Sequence, residues 1–121
     1  MLILGIAIAG MIGALARYWV DAAVVRAVPS GLPVATLAVN VSGSFVLGVI
    51  AGLALYHGLS STPHVILGTG FCGSYTTFST FAYEVVFLAE QRRTRAASVN
   101  VALSFLLPAL AAALGMALAS L

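Results

Sequence analysis

The sequence predicts an all-α integral membrane protein with four transmembrane helices, the third of them broken at its middle. Of its 121 residues, 62% are hydrophobic and only 7% are charged, whereas soluble domains are roughly 45–50% apolar and about 25% charged. Four apolar stretches approach the roughly 20 residues that a bilayer-spanning helix needs. The third stretch contains a central run rich in glycine and hydroxyl side chains. Residues 1–121 are therefore interpreted as one transmembrane domain.

The four apolar stretches are separated by short polar turns that are too small to form a domain of their own. No basic residue precedes the first stretch, so we interpret it as a retained helix and not as a signal peptide. The predicted helices cover approximately residues 2–25, 33–56, 64–89 with a break near 70–77, and 96–121.

The break in the third helix is the most informative feature. It lies in the segment Gly70–Phe81, which reads GFCGSYTTFSTF. Lipid offers no hydrogen bonds, so non-helical backbone at membrane depth survives only where protein buries it or where it lines a water-filled path. The segment therefore indicates the functional region and favours a pathway for a small ion.

Side chains after the break have the chemistry that such a pathway needs. Phe78 and Phe81 share one helix face, and Thr77, Thr80 and Glu84 share the neighbouring face. The positive edge of an aromatic ring can hold a small anion without a full charge, and hydroxyl groups can replace part of its water shell. Exposed carbonyl groups at a break would suit a hard cation such as Na⁺.

Polar and small residues recur every four positions along the second helix, at Thr36, Asn40, Ser44, Gly48 and Gly52. The spacing places them on one face. The glycines and Ser44 are typical of a packing ridge. Asn40 differs, because a carboxamide at mid-depth must find a partner in protein, water or a permeant ion. We expect it to line the pathway.

The first and fourth helices give less specific patterns. Arg17 and Asp21 stand four residues apart and can pair; Arg17 is either a snorkelling interfacial residue or a cation at the mouth of a cleft. Asn100, Ser104 and Pro108 share a face, and packing and pore lining remain alternatives for them. We place Ser104 among the candidate pore residues.

Several function classes are excluded by what the sequence lacks. It shows no catalytic triad, phosphate-binding loop or carboxylate pair at catalytic spacing, and its single cysteine, Cys72, cannot form an intrachain disulfide. The net charge of +2 is too small to indicate a nucleic acid partner. We therefore predict that the protein is not an enzyme.

Arginine placement predicts an orientation. Arg26 lies in the first loop and Arg92, Arg93 and Arg95 lie in the third, while the second loop and both termini contain no Arg or Lys. The positive-inside rule places loops one and three in the cytoplasm. This asymmetry favours a single orientation.

Three blocks resemble the CrcB/Fluc family of fluoride channels, over nearly the whole chain. In the first helix, GMIGALARY (10–18) is similar to the Gly-rich Gly-Ala-x-x-Arg-Tyr pattern of that family. In the second helix, TLAVNVSGSFVLG (36–48) is similar to its Thr-Leu-x-x-Asn pattern. The third block, GFCGSYTTFSTF (70–81) followed by Glu84, is similar to the family signature.

The resemblance implies an antiparallel dimer of four-helix subunits in a prokaryotic inner (plasma) membrane, with two narrow pores along the subunit interface. The subunits would export fluoride passively from the cytoplasm. Pore roles carry over by resemblance to Asn40, Phe78, Ser79, Thr80 and Phe81.

The resemblance also implies a central structural Na⁺ held by the backbone carbonyls of Gly73 and Thr76. Arg17 would lie near a vestibule, and Glu84 near a pore mouth. The sequence departs from the family pattern at Ala9, Ala35, Ser74 and Asn100, where Gly, Gly, Gly and Tyr are common.

The partner subunit has two possible identities. The family includes homodimers, in which one chain inserts both ways, and pairs of homologues that insert oppositely. The arginine asymmetry keeps the second arrangement open. Two other functions are alternatives: a small four-helix proton-coupled multidrug exporter, which needs a carboxylate deep in the first helix, and a purely structural subunit, which leaves the broken helix unexplained.

Overall fold

The computed structural model describes all residues, Met1–Leu121, and is helical with no strand. Three helices are long and apolar enough to cross a membrane, which identifies a multi-pass membrane protein. The elements in chain order are α1 (Leu2–Ala27), α2 (Val34–Tyr56), α3 (Ser61–Val65), a π-helical segment (Ile66–Cys72), α4 (Gly73–Tyr75), α5 (Ser79–Glu90) and α6 (Thr94–Leu118).

Helices α2 and α6 run parallel and form the most extensive contact of the chain. Glycines bring their backbones together: a Cβ added at Gly48 would collide with the backbone of Ala112, and one added at Gly115 would collide with the carbonyl of Phe45. At the carboxyl ends, His57 Nε2 lies 2.7 Å from the carbonyl oxygen of Ala119. The small-residue face of α2 therefore packs within the subunit.

Helix α1 packs against the π-helical segment in the same way. A Cβ at Gly70 would lie 2.8 Å from the carbonyl oxygen of Ile6, and Gly13 faces the backbone of Phe71 with no space for a side chain. Close packing of small residues is the usual way in which membrane helices associate. It holds α1 beside the segment that the sequence predicted to be broken.

The outer surface is apolar almost everywhere. Only 17 of the 121 residues are buried, and large apolar side chains such as Leu15, Phe105 and Leu110 are each more than half exposed. An exposed apolar surface of this extent requires lipid or another subunit to cover it.

The third apolar stretch differs from its predicted form. We expected a break near residues 70–77, but residues 70–75 are helical, and only 76–78 lie outside a helix. The glycine-rich part forms a π-helix, in which wider turns still pair the backbone; the N–H of Gly73 reaches the carbonyl of Gly68, five residues back. The glycines therefore widen the helix, and the interruption follows at Thr76, which is extended (φ −77°, ψ 158°).

Candidate functional site

The side chain of Asn40 holds the non-helical residues 76–78 in place. Its Nδ2 donates to the carbonyl of Thr77 at 2.9 Å, and its Oδ1 accepts from the N–H of Thr77 at 2.8 Å. A helix would have paired both of these groups internally. Asn40 thus supplies from α2 the two hydrogen bonds that Thr77 loses by leaving the helix.

The hydroxyl of Thr77 begins the next helix. It accepts from the N–H of Thr80 at 3.3 Å and donates to the hydroxyl of Thr80 at 3.1 Å, and the Ser79 hydroxyl lies 3.4 Å away. This is the hydrogen bonding of a helix N-cap. Ser79 and Thr80 are exposed, so their hydroxyls remain accessible to a ligand.

Several backbone carbonyls at the interruption accept no hydrogen bond, among them those of Gly73 and Thr76. The oxygen of Gly73 would normally accept from the N–H of Thr77, but Asn40 takes that donor; no donor reaches the oxygen of Thr76 either. Gly73 is exposed, and a Cβ built there would meet nothing closer than 3.8 Å. Free carbonyl oxygens at an open position are suitable ligands for a hard cation.

An aromatic cavity of about 230 Å³ opens on one side of the interruption. The rings of Phe81 and Phe105 meet edge to face at 5.9 Å. Phe78 lies 5.5 Å from Phe81 and is 71% exposed, whereas Phe81 is only 7% exposed. The Phe81 ring is therefore held within the subunit, and the Phe78 ring projects from it. The cavity is lined by Asn40, Ser44, Leu47, Thr76, Thr77, Phe78, Phe81, Ser104, Phe105 and Pro108.

A polar cavity of about 300 Å³ opens on the other side of Thr77. It contains two of the three charged side chains of α1, Arg17 and Asp21, together with hydroxyl groups of α2 and α5. Thr77 lines both cavities, so the interruption separates an aromatic space from a charged one. The polar cavity is lined by Ala14, Arg17, Tyr18, Asp21, Thr36, Val39, Thr77 and Thr80.

A carboxylate lies beside the polar cavity. The hydroxyl of Thr36 donates to Glu84 Oε1, which joins α2 to α5. The other oxygen, Oε2, is buried and has no hydrogen-bond partner. No group of three or more His, Cys, Asp and Glu side chains is placed to hold a metal ion.

Comparison with known proteins identifies the family. The family described as "CrcB-like protein, Camphor Resistance (CrcB)" matches residues 4–116. The chain belongs to the CrcB family. It is 48% identical to "Fluoride-specific ion channel FluC 1" of Leifsonia xyli subsp. xyli, over all of this chain and 88% of that protein.

Relatives in other organisms carry similar names. A "Fluoride-specific ion channel FluC 2" of Mycolicibacterium paratuberculosis is 43% identical over 97% of this chain and 93% of its own length. A "Fluoride-specific ion channel FluC" of Methanocaldococcus jannaschii is 41% identical over 79% of this chain and 76% of its own length. All three relatives are named as channels, which supports the prediction that this CrcB-family chain is not an enzyme.

The CrcB-family chain brings most of the candidate residues to the interruption. Asn40, Phe78, Phe81 and Ser104 line the aromatic cavity. Arg17 and Thr80 line the polar cavity. Ser79 lines neither cavity, and Glu84 is attached to the polar one through Thr36.

Several contacts at the site were not anticipated. Phe105 completes the aromatic cavity, and the hydroxyl of Tyr75 lies 2.8 Å from that of Ser42. Phe105 directly follows Ser104 in the sequence, and its position next to a candidate pore residue could have been used to predict that it lines the cavity. The partner of Tyr75 comes from another helix, and no spacing rule within one helix finds it.

Proposed function

We propose that the chain forms a fluoride-selective channel that passively exports fluoride across the inner membrane of a prokaryote. The observation that carries the proposal is the convergence of Asn40, Phe78, Phe81 and Ser104 on one cavity beside the only non-helical residues of the third apolar stretch. The names of the full-length relatives support fluoride as the ion.

The chemistry of the aromatic cavity suits a small anion that must also leave. Its lining contains no ionised side chain, so no opposite charge would trap the ion. Ring edges carry partial positive charge; the hydroxyl of Ser104 lines the cavity but donates to Asn100 Oδ1. A conducting site must bind strongly enough for entry and weakly enough for release.

We propose that a second, inverted subunit completes two pores in an antiparallel dimer. Phe78 is 71% exposed although it adjoins the cavity, so its ring is free to contact a partner. The arginine asymmetry between loops opposes dual insertion of one chain. The partner is a second copy if the chain nevertheless inserts both ways, and an oppositely inserted homologue if it does not.

We propose that the backbone carbonyls of Gly73 and Thr76 hold a structural Na⁺ at the centre of that dimer. The fit rests on these two oxygens, which accept no hydrogen bond. Gly73 and Thr76 of one chain would supply two ligands, and an inverted copy would supply two more. The cation would contribute positive charge beside the anion pathway.

Fluoride efflux needs no chemical fuel. Hydrofluoric acid is a weak acid whose neutral form crosses membranes and releases fluoride in a neutral cytoplasm. A negative-inside potential drives an anion outward with about 2.3 kcal/mol per 100 mV. The alternative, a proton-coupled multidrug exporter, is less favoured, because the only carboxylate of α1 is Asp21, near the end of the helix.

Fluoride-electrode measurements on liposomes test the proposal. Liposomes containing this chain should release fluoride when a potassium ionophore is added, and Phe78→Ile or Phe81→Ile should remove most of that release. Phe87→Ile is the matched control, because Phe87 is an exposed ring on the same helix that stacks on Tyr83 away from the cavity.

The outcomes separate the parts of the proposal. Equal release by wild type and both cavity variants would reject the role of the aromatic cavity. Release only after co-reconstitution with an inverted homologue would identify a heterodimer. No release in either format, or release that requires a proton gradient, would reject the channel.

A further inference from the structure

Four residues with hydroxyl groups line the aromatic cavity: Ser44, Thr76, Thr77 and Ser104. An anion that leaves water for this cavity needs hydrogen-bond donors to replace part of its hydration shell. A hydroxyl group carries a single proton, so it can donate to an anion only if that proton is not already donated within the chain. The hydrogen bonds of each hydroxyl therefore determine which of the four is free to hold an ion.

Three of the four hydroxyls already donate within the chain. Thr76 Oγ1 donates to the backbone carbonyl four residues back at 2.8 Å, and Thr77 Oγ1 donates to Thr80 Oγ1 at 3.1 Å. Ser104 Oγ donates to Asn100 Oδ1 at 3.2 Å. Each of these bonds would have to break before the hydroxyl could donate to an ion, and breaking a hydrogen bond inside a protein is costly.

The hydroxyl of Ser44 is free. A serine in a membrane helix can donate to the carbonyl four residues back, and Ser42 of the same helix does so, to Ala38 at 2.8 Å. Ser44 makes no such bond and has no other hydrogen-bond partner within the chain. The buried side-chain atoms without a partner are Glu84 Oε2 and Asn100 Nδ2. Because Ser44 Oγ is not one of them, it is both unpaired and accessible.

Ser44 lies on the face of α2 that borders the aromatic cavity. Asn40, Ser44 and Leu47 all line this cavity, and their spacing of four and three residues places them on one helix face. At 1.5 Å per residue, Ser44 lies about 6 Å along the helix axis from Asn40. The free hydroxyl is therefore one helical turn from the residue that holds the interruption in place.

We propose that Ser44 donates a hydrogen bond to fluoride in the aromatic cavity. This role rests on the fluoride channel proposed above and adds to it a residue that the ion contacts. The ring edges of Phe78 and Phe81 supply partial positive charge, and the hydroxyl supplies the directional donor that the rings lack. Because the hydroxyl is neutral, it replaces a water molecule of the ion without adding a charge that would prevent release.

Fluoride release from liposomes by Ser44→Ala tests this role. The substitution removes the hydroxyl without breaking a hydrogen bond within the chain, so the variant should fold and melt like wild type. Its fluoride release should fall by about tenfold or more, as expected for the loss of a hydrogen bond to a charged group. Ser98→Ala is the matched control and should release fluoride like wild type, because Ser98 is an exposed serine of α6 that lines neither cavity at the interruption.

Fluoride binding gives a second measurement that does not depend on the rate of conduction. The melting temperature of the purified chain is recorded at increasing sodium fluoride, with sodium chloride keeping the ionic strength constant. Fluoride should raise the melting temperature of wild type, and Ser44→Ala should need about tenfold more fluoride for the same rise. Ser44→Cys keeps a side chain of similar shape but offers only a weak S–H donor, so it should behave like Ser44→Ala in both measurements.

Three results would overturn the role of Ser44. The first is wild-type behaviour of Ser44→Ala in either measurement, in the liposome format in which wild type is active. The second is wild-type behaviour of Ser44→Cys while Ser44→Ala is impaired, which would mean that side-chain size matters and the donor does not. The third is a lower melting temperature of Ser44→Ala without fluoride, which would mean that the hydroxyl bonds to a partner subunit.

Failure of the channel itself would give a different result. Wild type would then show neither fluoride release, alone or with an inverted homologue, nor a rise in melting temperature with fluoride, and the role of Ser44 would be rejected together with the channel. Release by wild type with unimpaired Ser44→Ala would instead reject the role of Ser44 alone.

Discussion

The interface between α2 and α6 and the interruption at residues 76–78 are stabilised in opposite ways, by side chains of different kinds. At the interface, Gly48 and Gly115 allow backbone to touch backbone, and both helices remain continuous, although Pro108 removes one N–H from the ladder of α6. At the interruption the ladder is lost, and Asn40 and Thr77 replace its hydrogen bonds with side-chain bonds. Side-chain size therefore determines which residues the interface tolerates, and side-chain polarity determines which residues the interruption tolerates.

Backbone strain does not distinguish the two regions. Thr76 and Phe78 have φ values of −77° and −93°, which any residue can adopt. The single non-glycine residue with positive φ is Arg92, in the connection between α5 and α6. The interruption is therefore maintained by its hydrogen-bond partners, and substitutions that preserve shape but remove polarity should affect it most.

Substitution of Gly48 should have the largest effect. In Gly48→Val, the added carbon atoms collide with the backbone of Ala112, so α2 and α6 must separate. The expected loss exceeds about 3 kcal/mol, which is comparable with the whole stability of a marginal fold. Size-exclusion chromatography in detergent should show aggregated protein. Gly68→Ala is the control, because its Cβ meets only the end of the Leu47 side chain at 3.4 Å; aggregation of both variants would argue against a size effect specific to the interface.

Removal of Asn40 should affect the interruption next most strongly. Asn40→Ala leaves the N–H and the carbonyl of Thr77 unpaired, which costs about 2–4 kcal/mol in total. The melting temperature in detergent should fall. Ser44→Ala changes the same cavity without removing a side-chain hydrogen bond and should melt like wild type. A melting temperature of Asn40→Ala equal to that of Ser44→Ala would mean that water replaces the lost bonds.

A negative charge at position 40 should reduce fluoride conduction. Asn40→Asp keeps an acceptor for the N–H of Thr77 but places a negative charge in the lining of the aromatic cavity. Because like charges repel, fluoride release from liposomes should be suppressed. Unchanged release would place Asn40 outside the ion path and leave it the role of stabilising residues 76–78.

The hydrogen bond between Thr36 and Glu84 should contribute less to stability than the two hydrogen bonds between Asn40 and Thr77. Thr36→Val preserves shape and removes the donor to Glu84 Oε1, whose other oxygen is already without a partner. The expected loss is about 1–3 kcal/mol, measured by thermal unfolding, and Thr36→Ser should restore it. In a Glu84→Gln background the effect of Thr36→Val should shrink, because a neutral amide is cheaper to leave unpaired. An equal effect in both backgrounds would mean that Thr36 acts through packing alone.

Sequence patterns predicted the features that depend on neighbours within one helix. Apolar length predicted the membrane helices, and four-residue spacing placed Asn40 on a polar face. The partners across helices were not accessible in this way: nothing within α2 indicates that Thr36 meets Glu84. The glycines at 70 and 73 indicated a disturbed helix, but a π-helix and a break both accommodate glycine. The choice between them depends on whether Gly73 finds its acceptor five residues back, which only the folded backbone decides.

The connection at Arg92 should give the smallest effect, and one of opposite sign. Arg92 adopts φ 59°, while the N–H groups of Arg92 and Arg93 bond to the carbonyls of Ala89 and Leu88, as in a helix end that favours glycine. Arg92→Gly should raise stability by about 0.5–1 kcal/mol. Gln91→Gly, at φ −74°, should lower it slightly, so the two variants should shift the melting temperature in opposite directions. A fall in both would show that the charge of Arg92 at the end of α5 contributes more than its backbone conformation costs, and that this turn is stabilised by electrostatics.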